Sequence, residues 1–180
     1  MKKIIFTIII LLVSTGIYII YPIWINPKSP KAKEMLQIDE FNIELQYSRP
    51  SKRGRLIFGT EDQGALLAYG KYWRLGANAP TRIVINKDVK FAGNELKSGA
   101  YSMFAVPNKD YWEITLNSKI NSSGYQRPDP SFDIFTVAIP VKNVTSIVEQ
   151  FTISLKKIDS NVIIAMEWDK FAALITIEIL

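Results

Sequence analysis

Short stretches that alternate strictly between apolar and polar residues constrain the fold of this chain more than any other feature. The runs FNIELQY at 41–47, YWEITL at 111–116 and FTISL at 151–155 each place their most apolar residues two positions apart. Successive side chains of a β-strand point to opposite faces, so each run predicts a strand with one buried and one solvated face. Trp112 and Phe151 are predicted to lie on the buried faces.

Clusters of Gly, Asn, Asp, Ser and Pro separate these runs from further strand candidates. The further candidates are 82–86, 89–91, 100–106, 132–140, 162–168 and 171–179. Many short strands at close spacing, without convincing helical periodicity beyond the N-terminal segment, predict an all-β fold. We expect an antiparallel β-sandwich, jelly-roll-like in its connections, and a small barrel is the alternative.

The N-terminal segment is apolar. Residues 4–21 carry no charge and follow Lys2 and Lys3. As a helix rising about 1.5 Å per residue, this run is roughly 27 Å long, which is just enough to cross the hydrocarbon core of a bilayer. The sequence therefore predicts a transmembrane helix within a membrane anchor at 1–25. A cleaved signal peptide and a buried helix are the alternatives.

A proline-containing segment follows the apolar run. Residues 26–33 contain two prolines and no apolar cluster, which predicts a short, stiff tether before a β-domain at 34–180. The positive charges on the two sides of the apolar run nearly balance, but a very short N-terminal tail with a basic start usually stays cytoplasmic. We therefore expect a protein anchored in the membrane through residues 4–25, with its C-terminal domain extracytoplasmic, in the periplasm or at the cell surface.

The net charge of +5 comes from the N-terminal part of the chain. All of it is accounted for by Lys2, Lys3, Lys28, Lys31 and Lys33, because residues 34–180 contain 17 basic and 17 acidic residues. A domain without net charge argues against nucleic acid as a partner. Within the domain, residues 49–82 carry seven bases and two acids, which predicts a local positive field.

The chain contains no His and no Cys. This composition excludes Ser-His-Asp and Cys-His nucleophilic centres, disulfides and the usual zinc sites, and no metal site or cofactor is predicted. Acid–base chemistry is left to carboxylates, Tyr and Lys. The close carboxylate pairs are Glu61 with Asp62, Asp129 with Asp133, and Glu167 with Asp169, and their spacing does not show the geometry of a catalytic pair, so catalytic residues remain unassigned.

Two segments rich in Arg and aromatic residues are the candidates for a binding site. They are YSRPSKRGRLIF at 47–58 (the first block) and YGKYWRLGAN at 69–78 (the second block). The guanidinium groups of Arg49, Arg53, Arg55, Arg74 and Arg82 could bind carboxylate or phosphate oxygens, and aromatic rings can stack on a sugar. The candidate ligand-binding residues are Arg49, Arg53, Arg55, Tyr69, Lys71, Trp73, Arg74 and Asn78. The alternatives are that the arginines bind acids or carbonyls of this domain and that the rings fill the core.

Within this set, we expect different roles for different arginines. Arg74 is flanked by Trp73 and Gly76, which indicates a structural role. Arg53 and Arg55 lie on either side of Gly54 in a predicted turn, so we expect them to be exposed.

The two blocks and a third, GNELKSGAYSMFAVP at 93–107, resemble the signature blocks of a bacterial family catalogued as domain of unknown function 2911. Their order and spacing agree with that family, and the resemblance covers the chain from about Ser29 to its C-terminus. It implies a secreted or envelope domain with an all-β fold and no established activity. It supplies no catalytic residues.

Two functional hypotheses follow. The first is a membrane-tethered cell-envelope module without enzymatic activity, which binds an anion, a glycan or another envelope protein through the Arg-rich and aromatic blocks. The alternative is a small hydrolase that acts on envelope glycans through carboxylates. Acids that face each other in a cleft would favour the hydrolase, whereas a basic and aromatic surface favours binding.

Overall fold

The computed structural model describes residues 2–20, 28–120 and 123–180. The chain forms two compact units, Met1–Pro30 and Lys31–Leu180. In the first unit, helix α1 runs over Lys2–Ile20 and its large apolar side chains are exposed. Among the described residues, no helix reaches the length and apolarity that a membrane crossing requires. Residues 21–25 of the predicted anchor and 26–27 of the predicted tether lie outside the described residues.

The second unit consists almost entirely of β-strands. The strands are β1 (Lys31–Ile38), β2 (Phe41–Ser48), β3 (Phe58–Gly59), β4 (Leu67–Ala68), β5 (Thr81–Ile85), β6 (Val89–Phe91), β7 (Asn94–Leu96), β8 (Gly99–Pro107), β9 (Tyr111–Asn117), β10 (Asp133–Ile158) and β11 (Asn161–Ile179). A short 3-10 helix, Pro130–Phe132, precedes β10. Within the described residues, nine strands form one sheet in the order β1-β2-β5-β8-β9-β10-β11-β6-β7, and β3 pairs with β4 separately. All neighbours in the large sheet are antiparallel.

Strand β10 connects two portions of the large sheet, which are β1-β2-β5-β8-β9 on one side and β11-β6-β7 on the other. Its first residues, up to Pro140, pair with β9, and its later residues, from Val141 onward, pair with β11. The register between β10 and β11 shifts between Asn143 and Val148 and again before Thr152, so β10 bulges there. One strand therefore belongs to both portions, and the side chains of the two portions meet in a shared core.

Aromatic side chains occupy much of that core. Phe58 lies with its ring centroid 5.1 Å from that of Trp112 on β9 and 6.2 Å from that of Trp168 on β11. Tyr47 on β2 packs edge to face on Phe151 of β10 at 5.7 Å. Aromatic pairs of this geometry add about 0.5–1.5 kcal/mol beyond the burial of their area. These contacts join both portions of the sheet around one centre.

The structure confirms the mostly-β class, the large antiparallel sheet and the N-terminal helix. Trp112 and Phe151 are 1% and 0% exposed, as their alternating runs predict. Strand β1 begins at Lys31, so residues 31–33, predicted as tether, are the first residues of the sheet. They join it because every second residue of β1 packs towards the core.

Candidate functional site

The first block runs alongside β10 and is bound to it. The Tyr47 hydroxyl donates to the carbonyl of Ile153 at 3.1 Å and accepts from its N–H at 2.9 Å. Arg49 donates from Nε to the carbonyl of Phe151 at 3.3 Å and from Nη2 to Thr152 Oγ1 at 2.8 Å. The guanidinium of Arg49 therefore has partners within the domain, on the bulged part of β10.

Lys52 continues this attachment through an ion pair. Its Nζ lies 2.6 Å from Asp169 Oδ2, and the two side chains are only 18% and 9% exposed. Nζ also donates to the carbonyl of Arg55 at 2.9 Å, and the backbone N–H of Lys52 donates to the carbonyl of Glu149 at 2.7 Å. Asp169 has a φ of 55° at the position where the β10–β11 register shifts. The pair holds the first block against an irregular point of the sheet.

Arg53 and Arg55 are exposed, which confirms the prediction for both. The backbone N–H of Arg53 donates to Glu149 Oε1 at 2.8 Å. Arg55 donates from Nε to the carbonyl of Lys52 at 3.0 Å and from Nη2 to the carbonyl of Ser51. The two side chains lie at the surface of a turn, and a ligand-binding role for them stays a prediction.

Trp73 of the second block lies in the core. It exchanges backbone hydrogen bonds of 2.7 and 2.8 Å with Ala105 of β8, and its side chain is buried. Its ring centroid lies 5.0–6.0 Å from those of Phe58, Trp112, Phe151 and Trp168. These neighbours surround the indole, so Trp73 has no ring face left for a ligand.

Tyr69 and Lys71 of the second block have partners of their own within the domain. Tyr69 is half-buried, packs against the core and donates its N–H to the carbonyl of Gly59 at 2.8 Å. Lys71 Nζ lies 3.4 Å from Glu61 Oε2, with both side chains largely exposed. An exposed pair of this kind contributes little to stability. A ligand-binding role for Tyr69 and Lys71 stays a prediction.

Arg74 and Asn78 are bound to neighbouring loops. Arg74 Nη1 donates to the carbonyl of Asn78 at 3.0 Å, and the guanidinium lies 5.6 Å from the ring centroid of Tyr125. Asn78 Nδ2 lies 3.5 Å from Ser48 Oγ. Between them, Gly76 has a φ of 144°, and a Cβ there would lie 2.8 Å from the carbonyl oxygen of Ser48. These contacts join the second block to the end of β2.

A groove opens next to this junction, across strands β1, β2 and β5. Its volume is about 400 Å3. It is lined by Lys31, Ala32, Lys33, Gln46, Tyr47, Ser48, Ala79, Pro80, Arg82 and Ile120. The lining therefore combines three basic side chains with apolar surface.

The strand register explains why the basic side chains share the groove. Lys33 lies opposite Gln46, and Gln46 lies opposite Arg82, so one row crosses three strands. Two strand spacings separate the Cα atoms of Lys33 and Arg82 by about 9–10 Å. Lys31 lies two residues before Lys33 and therefore on the same face of β1. The sheet thus places three cations around one concave surface.

Arg82 is one of two described residues, with Tyr72, that have a buried side-chain polar atom without a hydrogen-bond partner. Its Nε is buried, and it has no hydrogen-bond partner among the described residues. An unpaired buried donor costs about 1–3 kcal/mol, and more on a charged group. An acceptor bound in the groove would supply the missing hydrogen bond.

One carboxylate lies close to these cations. Glu44 Oε2 is 3.0 Å from Lys33 Nζ, and Glu44 Oε1 accepts from Gln46 Nε2 at 2.5 Å. The hydrogen bonds from Gln46 and Lys33 lower the pKa of Glu44 below its usual value. Glu44 is therefore ionised at neutral pH, and Glu34 on β1 is a second acid near the groove, where its charge acts on Tyr47.

Asp129 and Asp133, one of the close carboxylate pairs of the sequence, are bound to partners of their own. Asp133 accepts from Asn117 Nδ2 at 2.8 Å and pairs with Arg127 Nη2 at 2.5 Å. Asp129 accepts from the N–H and the hydroxyl of Ser131, and these hydrogen bonds lower the pKa of Asp129. In residues 2–20, 28–120 and 123–180, no group of three or more acids is placed to hold a metal ion.

The sequence-based site missed the groove residues Lys31, Lys33 and Gln46, and it included Arg82 only as one of five arginines that could bind an oxyanion. A signal was present in KAKEMLQI, where Ala32, Leu36 and Ile38 fall on every second position. The pattern predicts a strand that points its lysines outward. The adjacency of β1, β2 and β5 required the structure.

Comparison with known proteins identifies relatives at the level of a family. The model of a family described as "Protein of unknown function (DUF2911)" matches residues 29–177. No curated protein and no solved structure matches the chain. The matched range contains all three blocks and all the groove residues.

Proposed function

The chain belongs to the DUF2911 family, and we propose that its domain is a β-sandwich module that binds an anionic ligand in the groove. The observation that carries this proposal is the buried Nε of Arg82, which lacks a partner among the described residues and lies beside two lysines. A guanidinium matches the oxygens of a carboxylate, sulfate or phosphate. Binding such a group would satisfy Nε and offset the surplus positive charge.

The composition of the groove narrows the ligand further. Ala32, Ala79, Pro80 and Ile120 give it apolar surface beside the cations. Small-molecule sites combine mostly apolar walls with a few placed polar groups, and their volumes start at about 300 Å3. The ligand class is therefore a small anion that carries an apolar portion.

Binding is favoured over hydrolysis. A glycosidase needs two carboxyl groups on either side of the scissile bond, at about 5–9.5 Å from each other. Glu44, a carboxylate beside the groove, is engaged by Lys33 and Gln46. A groove with a cationic surplus suits retention of an anion.

The module is further proposed to be held at a membrane, with the β-domain extracytoplasmic. The support lies in the sequence, where residues 4–21 carry no charge and Ile23, Trp24 and Ile25 continue the apolar segment past Pro22. The exposed apolar side chains of α1 agree with an apolar surrounding.

The test is binding of inorganic phosphate by the full chain in a neutral detergent. Phosphate should raise the thermal unfolding temperature of the wild-type protein and saturate in titration. Arg82→Met should weaken binding by about tenfold or more, which corresponds to 1.4 kcal/mol. Lys31→Gln should weaken it less, because Lys31 is exposed and supplies charge to the rim of the groove.

Arg53→Gln is the matched control, since Arg53 is an exposed basic residue outside the groove. It should leave phosphate binding unchanged. Equal losses in Arg82→Met and Arg53→Gln would show general attraction to positive charge, and the proposed site would be wrong. A loss in Arg53→Gln alone would move the site to the first block.

A further inference from the structure

We propose that the anionic ligand of this groove is the head group of an anionic phospholipid. The inference rests on the proposed anion-binding function and specifies its ligand. In an anionic phospholipid, the phosphate of the head group lies next to the glycerol backbone and the start of the acyl chains. The groove has a matching surface for each part. Lys31, Lys33 and Arg82 supply cations for the phosphate, and Ala32 and Ile120 supply apolar surface for the start of the acyl chains.

The position of the groove in the chain supports this ligand over a freely diffusing anion. Two of the three groove cations belong to β1, the first strand after helix α1, and only residues 21–30 separate the helix from Lys31. Lys28 lies in that same connection. A basic residue near an anionic membrane surface is attracted to it by about 1 kcal/mol.

The charge distribution points the same way. The entire excess of +5 lies in residues 1–33, around the apolar helix, while residues 34–180 are balanced. Lys31 and Lys33 are members of this excess that also line the groove. Arg82 lies in the part of the chain without net charge, and its guanidinium can bind a phosphate at a defined position. The groove therefore combines nonspecific attraction of an anionic surface by the lysines with a specific phosphate contact at Arg82.

The experiment compares the full chain in lipid discs of phosphatidylcholine with discs that also contain phosphatidylglycerol. Amine-reactive labelling, resolved residue by residue by mass spectrometry, reports the accessibility of each lysine. We expect Lys31 and Lys33 to react severalfold more slowly in the anionic discs. Lys109, exposed in the turn between β8 and β9, is the internal control and should react equally in both.

Variants separate a head group in the groove from charge attraction alone. Arg82→Met should remove most of the protection of Lys31, and a milder Arg82→Lys should restore part of it. Protection that persists in Arg82→Met, or that extends to Lys109, would overturn the inference.

The phosphate titration distinguishes the sources of the anion. If inorganic phosphate binds at Arg82 but the two kinds of disc give equal labelling, the ligand is a free anion and the lipid inference fails while the proposed function stands. If phosphate does not bind and labelling is equal, both fail. If labelling differs and depends on Arg82, the head group is the ligand.

Discussion

Removal of the amine of Lys52 should destabilise the domain strongly, because it leaves a buried carboxylate without its partner. The Lys52→Met variant keeps most of the side-chain length and removes the charge. Asp169, whose side chain is 9% exposed, would then hold a charge in a region of low solvent access. Loss of one partner of a buried pair costs about 3–5 kcal/mol, and the partial exposure of Lys52 places the expected loss near 3 kcal/mol.

A second substitution tests the cause. Asp169→Asn removes the carboxylate charge and keeps a residue that tolerates the φ of 55° at this position. The double variant Lys52→Met with Asp169→Asn should therefore recover most of the loss and lie within about 1 kcal/mol of the wild type, since neither charge remains. Alanine at 169 would confuse the comparison, because the left-handed backbone costs alanine about 1–2 kcal/mol.

The assay is urea unfolding followed by tryptophan fluorescence, in which Trp168 lies next to the altered pair. Lys71→Met is the matched control, because its partner Glu61 is 80% exposed at 3.4 Å. The control should change the free energy of unfolding by less than about 0.5 kcal/mol. If Lys52→Met costs no more than this control, or if the double variant is as unstable as the single one, the reasoning is refuted.

Three further predictions concern the core, a close approach and the groove. Trp112→Ala should cost about 3–5 kcal/mol in urea unfolding, and a loss below about 1 kcal/mol would contradict its burial. Gly54→Ala should lower the free energy of unfolding by about 1–2 kcal/mol, from its φ of 71° alone. Gly76→Ala adds a clash with the backbone of Ser48 and should cost about 1–3 kcal/mol more. Equal losses in the two variants would contradict the clash. Glu44→Gln should tighten phosphate binding, because it frees the lysine paired with it, and weaker binding would contradict this. Hydrogen bonding lowers the pKa of Glu44 in the folded state. The contribution of Glu44 to stability is therefore present above its unfolded pKa and is lost as the pH falls through its folded pKa. Unfolding measured between about pH 6 and 3 should show that Glu44→Gln lacks this part of the acid dependence.

The strands with strict alternation could be predicted from the sequence because their pattern follows directly from one buried face. The run at 41–47 became β2 almost unchanged, and the run at 111–116 became β9. The predicted strands 162–168 and 171–179 proved to be one strand, β11. The polar residues Asp169 and Lys170 interrupt the alternation, which in the sequence resembles a turn between two strands. In the structure Asp169 takes a φ of 55° within one continuous strand.

The candidate site was harder to predict, because it depends on contacts between distant segments. The Arg-rich first block was recognised as unusual, but its partners on β10 lie about a hundred residues away, as with Tyr47 and Ile153. Composition does not distinguish an arginine that binds a carbonyl of its own domain from one that binds a ligand. The Nε of Arg82 lacks a partner among the described residues whereas the guanidinium of Arg49 has two, and this difference is visible only in three dimensions.

The attachment of the first block to β10 and β11 has a consequence for the order in which the protein can assemble. Strands β1 and β2 are complete once Ser48 has been synthesised, but Lys52 binds a residue 117 positions further along the chain. At a synthesis rate of about 5–20 residues per second, Lys52 waits roughly 6–23 s before Asp169 exists. During this interval the first block has no attachment to β10 or β11, although β2 can already pair with β5. The first block can therefore reach its final position only after nearly the whole domain has been synthesised.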